Sequence, residues 1–417
     1  MNMRVNPATE AAALRVLVVQ MGARRAYELA RMLEQRGALA ALQTSAAWPE
    51  GRVPGGLIGR ILERHPGPRA RRTVRGIPPE KVRTTVLPEA AGSALRALGV
   101  ETERRFRVED WLLGLEARRH GLAGANVVLN TSGNGGIGFL RWAKGQGAKI
   151  ATDIVGTPLF HEIMIEERAR WPDWEPEIDL RRSAKVFRAH IEAVMEISDL
   201  LLCPSATVVD GLAAFRGFDP GKVARVPYGL GAASIQVGLP VPKRILFAGR
   251  AWIGKGLPYL AEAARILGTL DPAYEIRVAG LASDRVRARP ECADLTFLGH
   301  LGPDRMAEEF RTADVFCLPS LAEGMASVTL EALAHGIPCV VTRSAGSPVV
   351  DGEDGLIVPE RDGVALAEAI AAIAADRAMR ARMSGAALQR ASEHTLDKIG
   401  SRLHAVLADL ALQGAAA

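Results

Sequence analysis

The stretch Val315–Thr342 reads VFCLPSLAEGMASVTLEALAHGIPCVVT and contains a complete strand–helix–strand unit. Apolar runs at 315–319 and 339–342 predict two buried strands, and the segment 328–335 between them predicts a helix. Gly336 stands where it would end that helix. A helix between two successive apolar strands indicates that the strands run parallel in a sheet that is covered on both faces.

The same alternation continues on both sides of this unit. In the second half, further strands are predicted at residues 244–248, 274–279, 295–298 and 355–358. In the first half, strands are predicted at residues 14–20, 39–44, 127–130, 149–153, 200–204 and 223–227, and the first helix is predicted at 23–35. We therefore predict an α/β fold of two similar domains that face each other across a cleft, with ligands at the carboxyl ends of the parallel strands.

Chain length supports a division into two domains, because 417 residues exceed what one hydrophobic core usually holds. The segment 229–243 is rich in Gly and Pro and lacks periodicity, so it is predicted to be a linker. We assign an N-terminal domain to residues 1–235 and a C-terminal domain to residues 236–395. The last helix, at about 396–417, is expected to pack back on the N-terminal domain.

Composition indicates a globular protein, with 48% hydrophobic and 24% charged residues. No apolar run approaches the roughly 20 residues that span a membrane. The polar start Met1–Glu10 lacks the features of a signal peptide, and the four cysteines stand singly, without metal-ligand spacing. These features predict a cytoplasmic protein with buried, reduced thiols and no bound metal.

Residues 51–110 carry a local excess of positive charge, with 13 Arg and Lys against 7 Asp and Glu. A solvated basic face, an anionic membrane surface and an acidic acceptor all remain open as explanations. Phe106 is the single aromatic residue of this segment, which disfavours stacking of single-stranded nucleic acid. We expect no nucleic-acid partner, and peripheral contact with the inner face of an anionic cell membrane stays an alternative.

Two carboxylates border the turn that opens the helix of the quoted stretch. Glu323 precedes the glycine of the turn, and Glu331 lies within the helix, for which Ser327 is the predicted N-cap. A helix N-terminus attracts anions, and carboxylates beside it can accept hydrogen bonds from a polyol. This segment is therefore predicted to bind a phosphate and a sugar together.

A second motif, GRAWIGKG at residues 249–256, follows a predicted strand and leads into a helix. It nearly matches the phosphate loop of nucleotide hydrolases, but Gly256 stands where that loop needs a hydroxyl to hold magnesium. Arg250 and Lys255 remain as a cationic pair suited to clamp a diphosphate. The alternative is two solvated cations in a loop.

A third motif, GNGGIG at residues 133–138, fits the dinucleotide-binding pattern, and Asp153 ends the next predicted strand. This leaves an NAD(P)-dependent oxidoreductase open as an alternative. The motif lies deep inside the first domain, which favours a glycine-rich cleft turn that meets an acceptor or a diphosphate. Glu166 and Glu167 are predicted to form a helix face, and His161 is predicted to be structural.

Taken in order, several features of the second half resemble the retaining glycosyltransferases of family 4, which have the GT-B fold of two facing Rossmann-like domains. The resemblance spans about residues 190–375 and includes the paired-glutamate segment together with FAGR at 247–250, TFLG at 296–299 and ADVFCLPS at 313–320. The opening VVQMGAR at 18–24 is similar to enzymes that act on bacterial surface polysaccharides.

This resemblance implies retaining transfer of a sugar from a nucleotide-diphosphate sugar, bound by the C-terminal domain, to a hydroxyl of a glycan or lipid-linked acceptor, bound by the N-terminal domain. No cofactor is expected besides the donor substrate. The implied catalytic residues are Glu323, Arg250 and Lys255. The implied donor-binding residues are Gly249, Arg250, Lys255, Gly299, His300, Glu323, Gly324, Met325, Ala326, Ser327 and Glu331. Residues expected at the acceptor or cleft side are Gly22, Gly133, Gly135 and Asp153.

Three positions depart from the family pattern. Gly22 stands alone where many members have paired glycines, and Val349 replaces part of a usual Pro-Glu pair. Gly156 and Thr157 lie about where many members carry an imidazole near the reacting sugar. Two further interpretations stay open, a non-catalytic nucleotide-sugar-binding protein of the same fold and a phosphorylase with a lysine-bound pyridoxal phosphate.

Overall fold

The computed structural model describes residues 13–50, 72–176, 178, 180–231 and 237–413. Its first sheet has seven parallel strands in the order β5-β2-β1-β6-β7-β8-β9. These strands are β1 (Val16–Val19), β2 (Leu39–Ser45), β5 (Val82–Thr85), β6 (Val127–Thr131), β7 (Lys149–Asp153), β8 (Leu200–Cys203) and β9 (Val223–Arg225). The short strands β3 (Trp48–Pro49) and β4 (Thr73–Val74) pair separately. All four residues of β1 are fully buried, as expected for a strand between two layers of helices.

Helices cover this sheet on both faces. They are α1 (Glu28–Glu34), α2 (Leu87–Ala97), α3 (Thr102–His120), α4 (Gly136–Gly145), α5 (Phe160–Arg170), α6 (Arg181–Ile197) and α7 (Ala206–Leu212). One apolar cluster joins Leu17 and Val19 of β1 to α3 and α4, and another joins Val16 and Val18 to α1. Successive residues of β1 therefore point to opposite layers, as the two-residue period of a strand requires.

The second sheet has six parallel strands in the order β12-β11-β10-β13-β14-β15. They are β10 (Arg244–Ala248), β11 (Glu275–Ala279), β12 (Leu295–Gly299), β13 (Val315–Leu318), β14 (Cys339–Thr342) and β15 (Gly355–Val358). The helices of this half are α8 (Leu257–Leu270), α9 (Asp284–Arg287), α10 (Pro303–Thr312), α11 (Ser327–Ala334), α12 (Gly363–Ala375), α13 (Arg377–Glu393) and α14 (Leu396–Leu412). The predicted α/β class with two parallel sheets is confirmed.

The chain passes between the two halves twice, and the two crossings contact each other. Leu230 donates its amide hydrogen to the carbonyl of His394 at 2.7 Å, and Leu396 donates to the carbonyl of Leu230 at 3.2 Å. Beyond this contact α14 returns to the first sheet, where Ile399 and Leu403 join the apolar cluster that contains β1. The proposed domain boundary at 235/236 lies outside the described residues.

The structure differs from the sequence predictions in the first half. The helix predicted at 23–35 forms only from Glu28, because Arg25, Ala26 and Tyr27 have left-handed backbone angles, with φ of 47°, 49° and 60°. Helices α2 and α3 were not predicted and fill much of the basic segment. Residues 51–71 of that segment and 232–236 of the predicted linker lie outside the described residues. The four cysteines are buried and unpaired.

Among the described helices, none combines the length and the apolar character needed to cross a membrane.

Candidate active site

The loop after β10 brings a lysine to the carboxyl edge of the second sheet. Gly256 has a φ of 70°, and a Cβ there would lie 1.9 Å from the carbonyl oxygen of Pro319 after β13. Only glycine fits such a close approach of two loops. The amide of Leu321 also donates to the carbonyl of Gly254 at 3.0 Å. These contacts hold the Lys255 loop against the segment that carries Glu323.

Lys255 and Glu323 meet at this junction. The Nζ of Lys255 lies 2.5 Å from Oε1 of Glu323, and their side chains are 17% and 19% exposed. Both charged groups therefore lie close together at the carboxyl ends of the neighbouring strands β10 and β13. Ligands bind at this edge in open parallel sheets. In this contact each charge is neutralised by the other.

The helix that follows, α11, begins without a side-chain cap. Its N-cap is Ala326 rather than the predicted Ser327, which is the exposed first residue of the helix. Ala326 is held in place because its amide donates to Ala345 O at 3.0 Å and its carbonyl accepts from the Thr329 hydroxyl at 2.6 Å. With no side chain bonded to the first amides, the positive end of α11 can accept an anionic group.

The remaining predicted donor residues lie along the same sheet edge. Arg250 is exposed, with its guanidinium carbon 5.4 Å from the centre of the Trp252 ring. Glu331 lies in the second turn of α11, and burial of its carboxyl group raises its pKa although the residue as a whole is exposed. Gly299 ends β12, and His300 after it is exposed. Neither Arg250 nor Glu331 has an ion pair with the described residues.

The first domain meets this edge directly. The amide of Thr157 donates to the carbonyl of Glu323 at 3.1 Å. A Cβ on Gly324 would lie 2.1 Å from the carbonyl oxygen of Val155, so glycine is required for the two domains to approach this closely. Thr157, at one of the positions where the resemblance implies an imidazole, therefore contacts the predicted donor segment (residues 323–327) through its backbone.

Asp153 lies two residues before this contact, at the end of β7. It is only 6% exposed, and burial raises the pKa of its carboxyl group, while Arg25 and Arg24 lower it. No hydrogen bond to its carboxylate comes from the described residues. A buried carboxylate of this kind is stabilised by a hydroxyl donor from a ligand.

Two arginines lie beside Asp153, and sequence reasoning missed both. Arg25 stacks on the ring of Tyr228 at 3.7 Å and pairs with Glu28 at 2.5 Å, while Arg24 lies 3.5 Å from the Tyr228 hydroxyl. That hydroxyl donates to the carbonyl of Val155 at 3.1 Å. The left-handed turn places Arg24 and Arg25 here, and strained backbone is commonly kept at functional sites.

The glycines predicted for the cleft have different surroundings. Gly22, with φ of 65°, faces open space. Gly133 is packed, because a Cβ there would lie 2.9 Å from the ring of His190, and Gly135 packs against Phe139. His161, predicted to be structural, lies at the start of α5 with its ring 4.9 Å from that of Phe187.

A buried contact between the domains also escaped sequence reasoning. Glu167 of α5, predicted to lie on a helix face, is fully buried and accepts a 2.7 Å hydrogen bond from the Tyr259 hydroxyl. Arg361 also donates to its carboxylate. Trp171 donates to Tyr259 at 3.1 Å. Glu167 and Arg361 are 194 positions apart, so no local sequence pattern could have indicated this pair.

No cluster of three or more potential metal ligands occurs among the described residues.

The second half of the chain is similar to a known protein family. Residues 242–376 match the model of the family described as Glycosyl transferases group 1. The chain is 28% identical over 302 residues to a D-inositol 3-phosphate glycosyltransferase of Streptomyces griseus subsp. griseus. That alignment covers 62% of this chain, which spans 64% of the relative's length.

Solved structures show the same architecture over nearly the whole chain. One is an α,α-trehalose-phosphate synthase (UDP-forming) from Burkholderia vietnamiensis, with a TM-score of 0.67, 14% identity, and coverage of 97% of this chain and 99% of the other. Another is Anabaena Alr3699/HepE in complex with UDP, with a TM-score of 0.59, 13% identity, and coverage of 95% and 100%. The chain thus has the GT-B fold, and residues 242–376 of its second half are similar to the group 1 glycosyl transferases.

Proposed function

We propose that the protein is a retaining glycosyltransferase that moves a sugar from a nucleotide-diphosphate sugar to a hydroxyl of an acceptor. The observation that carries this proposal is the Lys255–Glu323 contact beside the uncapped N-terminus of α11. The cation and the free backbone amides supply the positive charge that the diphosphate of such a donor needs. The carboxylate supplies a hydrogen-bond acceptor for the sugar hydroxyls.

In the proposed reaction, the bond between the anomeric carbon and the diphosphate oxygen breaks, and its electron pair stays on the diphosphate. The acceptor oxygen forms the new bond on the same face of the sugar, and its proton passes to the leaving diphosphate. Negative charge grows on the leaving group, where Lys255, Arg250 and the α11 amides stabilise it. Glu323 accepts hydrogen bonds from the transferred sugar, and Glu331 accepts them from the ribose. No metal takes part in these steps.

The residues that the first domain places at the cleft favour an acceptor that is anionic and has several hydroxyl groups. Arg24 and Arg25 supply positive charge, and the buried Asp153 carboxylate needs a hydrogen-bond donor. A phosphorylated polyol has both groups, and the Streptomyces relative is named for such a compound. A glycan linked to a lipid through a phosphate carries the same combination of phosphate and hydroxyl groups, whereas a glycan of a surface polysaccharide supplies the hydroxyl groups.

Contact with an anionic membrane would bring a lipid-linked acceptor to the cleft. Helix α3 presents exposed Trp111 and Leu115 between exposed Arg104, Arg107 and Arg118. Aromatic and basic side chains on one exposed stripe suit the interface of an anionic bilayer. In co-sedimentation with anionic vesicles, Trp111→Ala should reduce the bound fraction, whereas Leu270→Ala, an equally exposed apolar residue of the second domain, should not. Equal binding of both variants would refute the membrane contact.

A panel of nucleotide sugars tests the main proposal. One donor is expected to raise the melting temperature by mass action, and its nucleoside diphosphate is expected to be released when the acceptor is added. UDP and GDP sugars, NADH and buffer form the arms of the panel. Binding without release of product would indicate a non-catalytic binding protein, and stabilisation by NADH alone would indicate an oxidoreductase. A visible absorption band of the purified protein would favour the pyridoxal phosphate enzyme.

A further inference from the structure

A cavity of about 270 Å³ lies between the two domains, apart from Lys255 and Arg250. Both domains and the returning chain line it, and the polar residues of its lining are Ser205, Arg225, Ser347, His394 and Arg402. Met325 of the predicted donor segment forms part of the same wall. Its volume suits a small ligand such as a phosphate or a compact sugar phosphate rather than a whole nucleotide sugar.

The lining of this cavity is positively charged. It contains two arginines and a histidine, and none of the residues that form it is an Asp or a Glu. Arg225 and Arg402 form no ion pair with a carboxylate among the residues that the structure describes. His394 uses Nδ1 in a 3.0 Å contact with the carbonyl of Arg390, which leaves Nε2 available. Cations that converge on one space repel each other, and an anion between them relieves that repulsion.

The cavity lies where the chain crosses between the domains. Arg225 ends β9 just before the first crossing, and His394 and Arg402 flank the second. The two crossings are hydrogen-bonded to each other through Leu230 and the carbonyl of His394 at 2.7 Å. A ligand in the cavity would therefore touch both segments that connect the domains.

The wall of the cavity is also in contact with the predicted donor segment. The hydroxyl of Ser205 donates to the carbonyl of Gly324 at 2.5 Å. The amide of Tyr228 lies 3.1 Å from the sulfur of Met325. Since Gly324 and Met325 directly follow Glu323, a ligand that orders Ser205 and Met325 also orders the loop that carries the Glu323 carboxylate.

We propose that this cavity is a binding site for a small phosphate-bearing anion, separate from the donor site. Arg225 and Arg402 bind its charged oxygens, while Nε2 of His394 and the hydroxyl of Ser347 supply further hydrogen bonds. The ligand is inorganic phosphate or the phosphate group of a small metabolite, which share this chemistry. Bound there, it links the first domain, the second domain and the returning chain.

The proposed effect on the donor rests on the proposed function, whereas the anion site itself does not. An anion that holds Ser205 against Gly324 favours the arrangement in which the donor segment is ordered. It is therefore expected to tighten nucleotide binding, and by reciprocity the nucleotide tightens anion binding by the same factor. If the protein used no nucleotide sugar, binding of phosphate to this cavity would still be observed.

Titration of the full chain with inorganic phosphate tests the site, with chloride used to hold ionic strength constant. Saturable binding is expected by calorimetry, with a parallel rise in melting temperature. Arg225→Ala and Arg402→Gln are each expected to weaken binding roughly tenfold or more, because each removes a charged hydrogen-bond donor. Arg305→Ala, which removes an exposed arginine of α10, is the matched control and should leave binding unchanged.

A second arm separates this cavity from the donor site. Lys255→Ala should keep phosphate binding at its wild-type affinity. Loss of binding in Lys255→Ala but not in Arg225→Ala would overturn the proposal, because the anion would then occupy the donor site. Equal stabilisation by chloride would overturn it as well. A titration with glucose 6-phosphate distinguishes inorganic phosphate from a phosphorylated metabolite as the ligand. Tighter binding that depends on Arg402 would show that a sugar phosphate is preferred.

Discussion

Lys255 is the residue on which the proposed chemistry depends most directly. It contacts Glu323, and in the proposed reaction it exchanges this partner for the diphosphate. Lys255→Ala is expected to lower kcat by about 10²–10³, the usual effect of removing one group that stabilises charge in the transition state. Steady-state kinetics with the true donor measure this effect.

The control for this variant is Lys185→Ala, which removes an exposed lysine of α6. It should leave kcat unchanged. The melting temperature of Lys255→Ala should stay close to that of the wild type, because the Lys255–Glu323 pair is partly exposed and such pairs stabilise a fold little. A loss of kcat below about threefold would remove Lys255 from the proposed mechanism.

Asp110 gives a prediction about pH. Burial raises its pKa to about 7, against the effect of a hydrogen bond from Asn134, which also accepts from the amide of Met21 at 2.9 Å. The folded protein thus holds this proton more tightly than the unfolded chain. The resulting stability is complete at low pH and is lost as pH rises through about 7.

The free energy of unfolding of the wild type should therefore fall relative to that of Asp110→Asn between about pH 4 and pH 7, and the difference should level off above that range. Asparagine keeps an oxygen for the hydrogen bond from Asn134 but cannot titrate. Asp409→Asn, which changes an exposed residue of α14, should show no such pH-dependent difference. Urea unfolding at several pH values provides the measurement. A constant difference between wild type and Asp110→Asn would contradict the assignment.

At the scale of single elements, Gly324 sets how closely the first domain approaches the donor segment. A Cβ at this position would lie 2.1 Å from the carbonyl oxygen of Val155 and 3.0 Å from Cα of Gly156. Neither atom can move without moving the backbone after β7. Gly324→Ala should therefore push the domains apart and lower kcat/KM by about 10², since small misplacements of reacting groups have effects of that size.

Gly385→Ala is the matched control for this substitution. A Cβ at Gly385 would meet no atom within 4 Å, and alanine favours the helical conformation of α13. This variant should be as active as the wild type and slightly more stable. If Gly324→Ala kept full activity, the close contact of Gly324 with Val155 would not be needed for catalysis.

The elements of the second half were predictable because each carries its own signal. Strands such as β10 and β14 are short apolar runs buried on both faces, and helix α8 has a proline in its first turn and follows a glycine turn. Helix α3 lacks such a signal, because charged residues occupy nearly half of its 19 positions. The left-handed turn before α1 has none at all, since Arg25 is held there by contacts with Glu28 and Tyr228.

The residues of the candidate site were likewise predictable where a local sequence signal exists and not elsewhere. Lys255 and Glu323 lie in loops after the neighbouring strands β10 and β13, so strand order brings them together. The sequence could place Asp153 at the end of a strand. It could not place Arg24 beside Asp153, because the backbone of the turn that carries Arg24 is irregular. The buried pair of Glu167 and Arg361 depends on how the domains dock, which no local pattern encodes.

At the scale of the whole molecule, ion pairs between the domains help to hold the domains together, and two of these pairs differ in burial. Arg361 donates to Glu167, whose side chain is 0% exposed. Arg343 pairs with Asp210 at 2.7 Å, but these side chains are 69% and 59% exposed. Breaking a buried pair leaves an uncompensated charge, whereas breaking an exposed pair returns both charges to water.

Arg361→Ala should therefore lower the free energy of unfolding by about 3 kcal/mol, because Glu167 keeps Tyr259 and the more distant Arg170 at 3.7 Å but loses its closest guanidinium. Arg343→Ala, the control that also removes an arginine from the domain interface, should lower it by less than about 1 kcal/mol. Urea unfolding of both variants, followed by tryptophan fluorescence, measures the difference, since Trp171 donates a hydrogen bond to Tyr259 beside the buried pair. If the two substitutions destabilised the protein equally, burial of Glu167 would contribute nothing to domain docking, and the exposed pair would matter as much as the buried one.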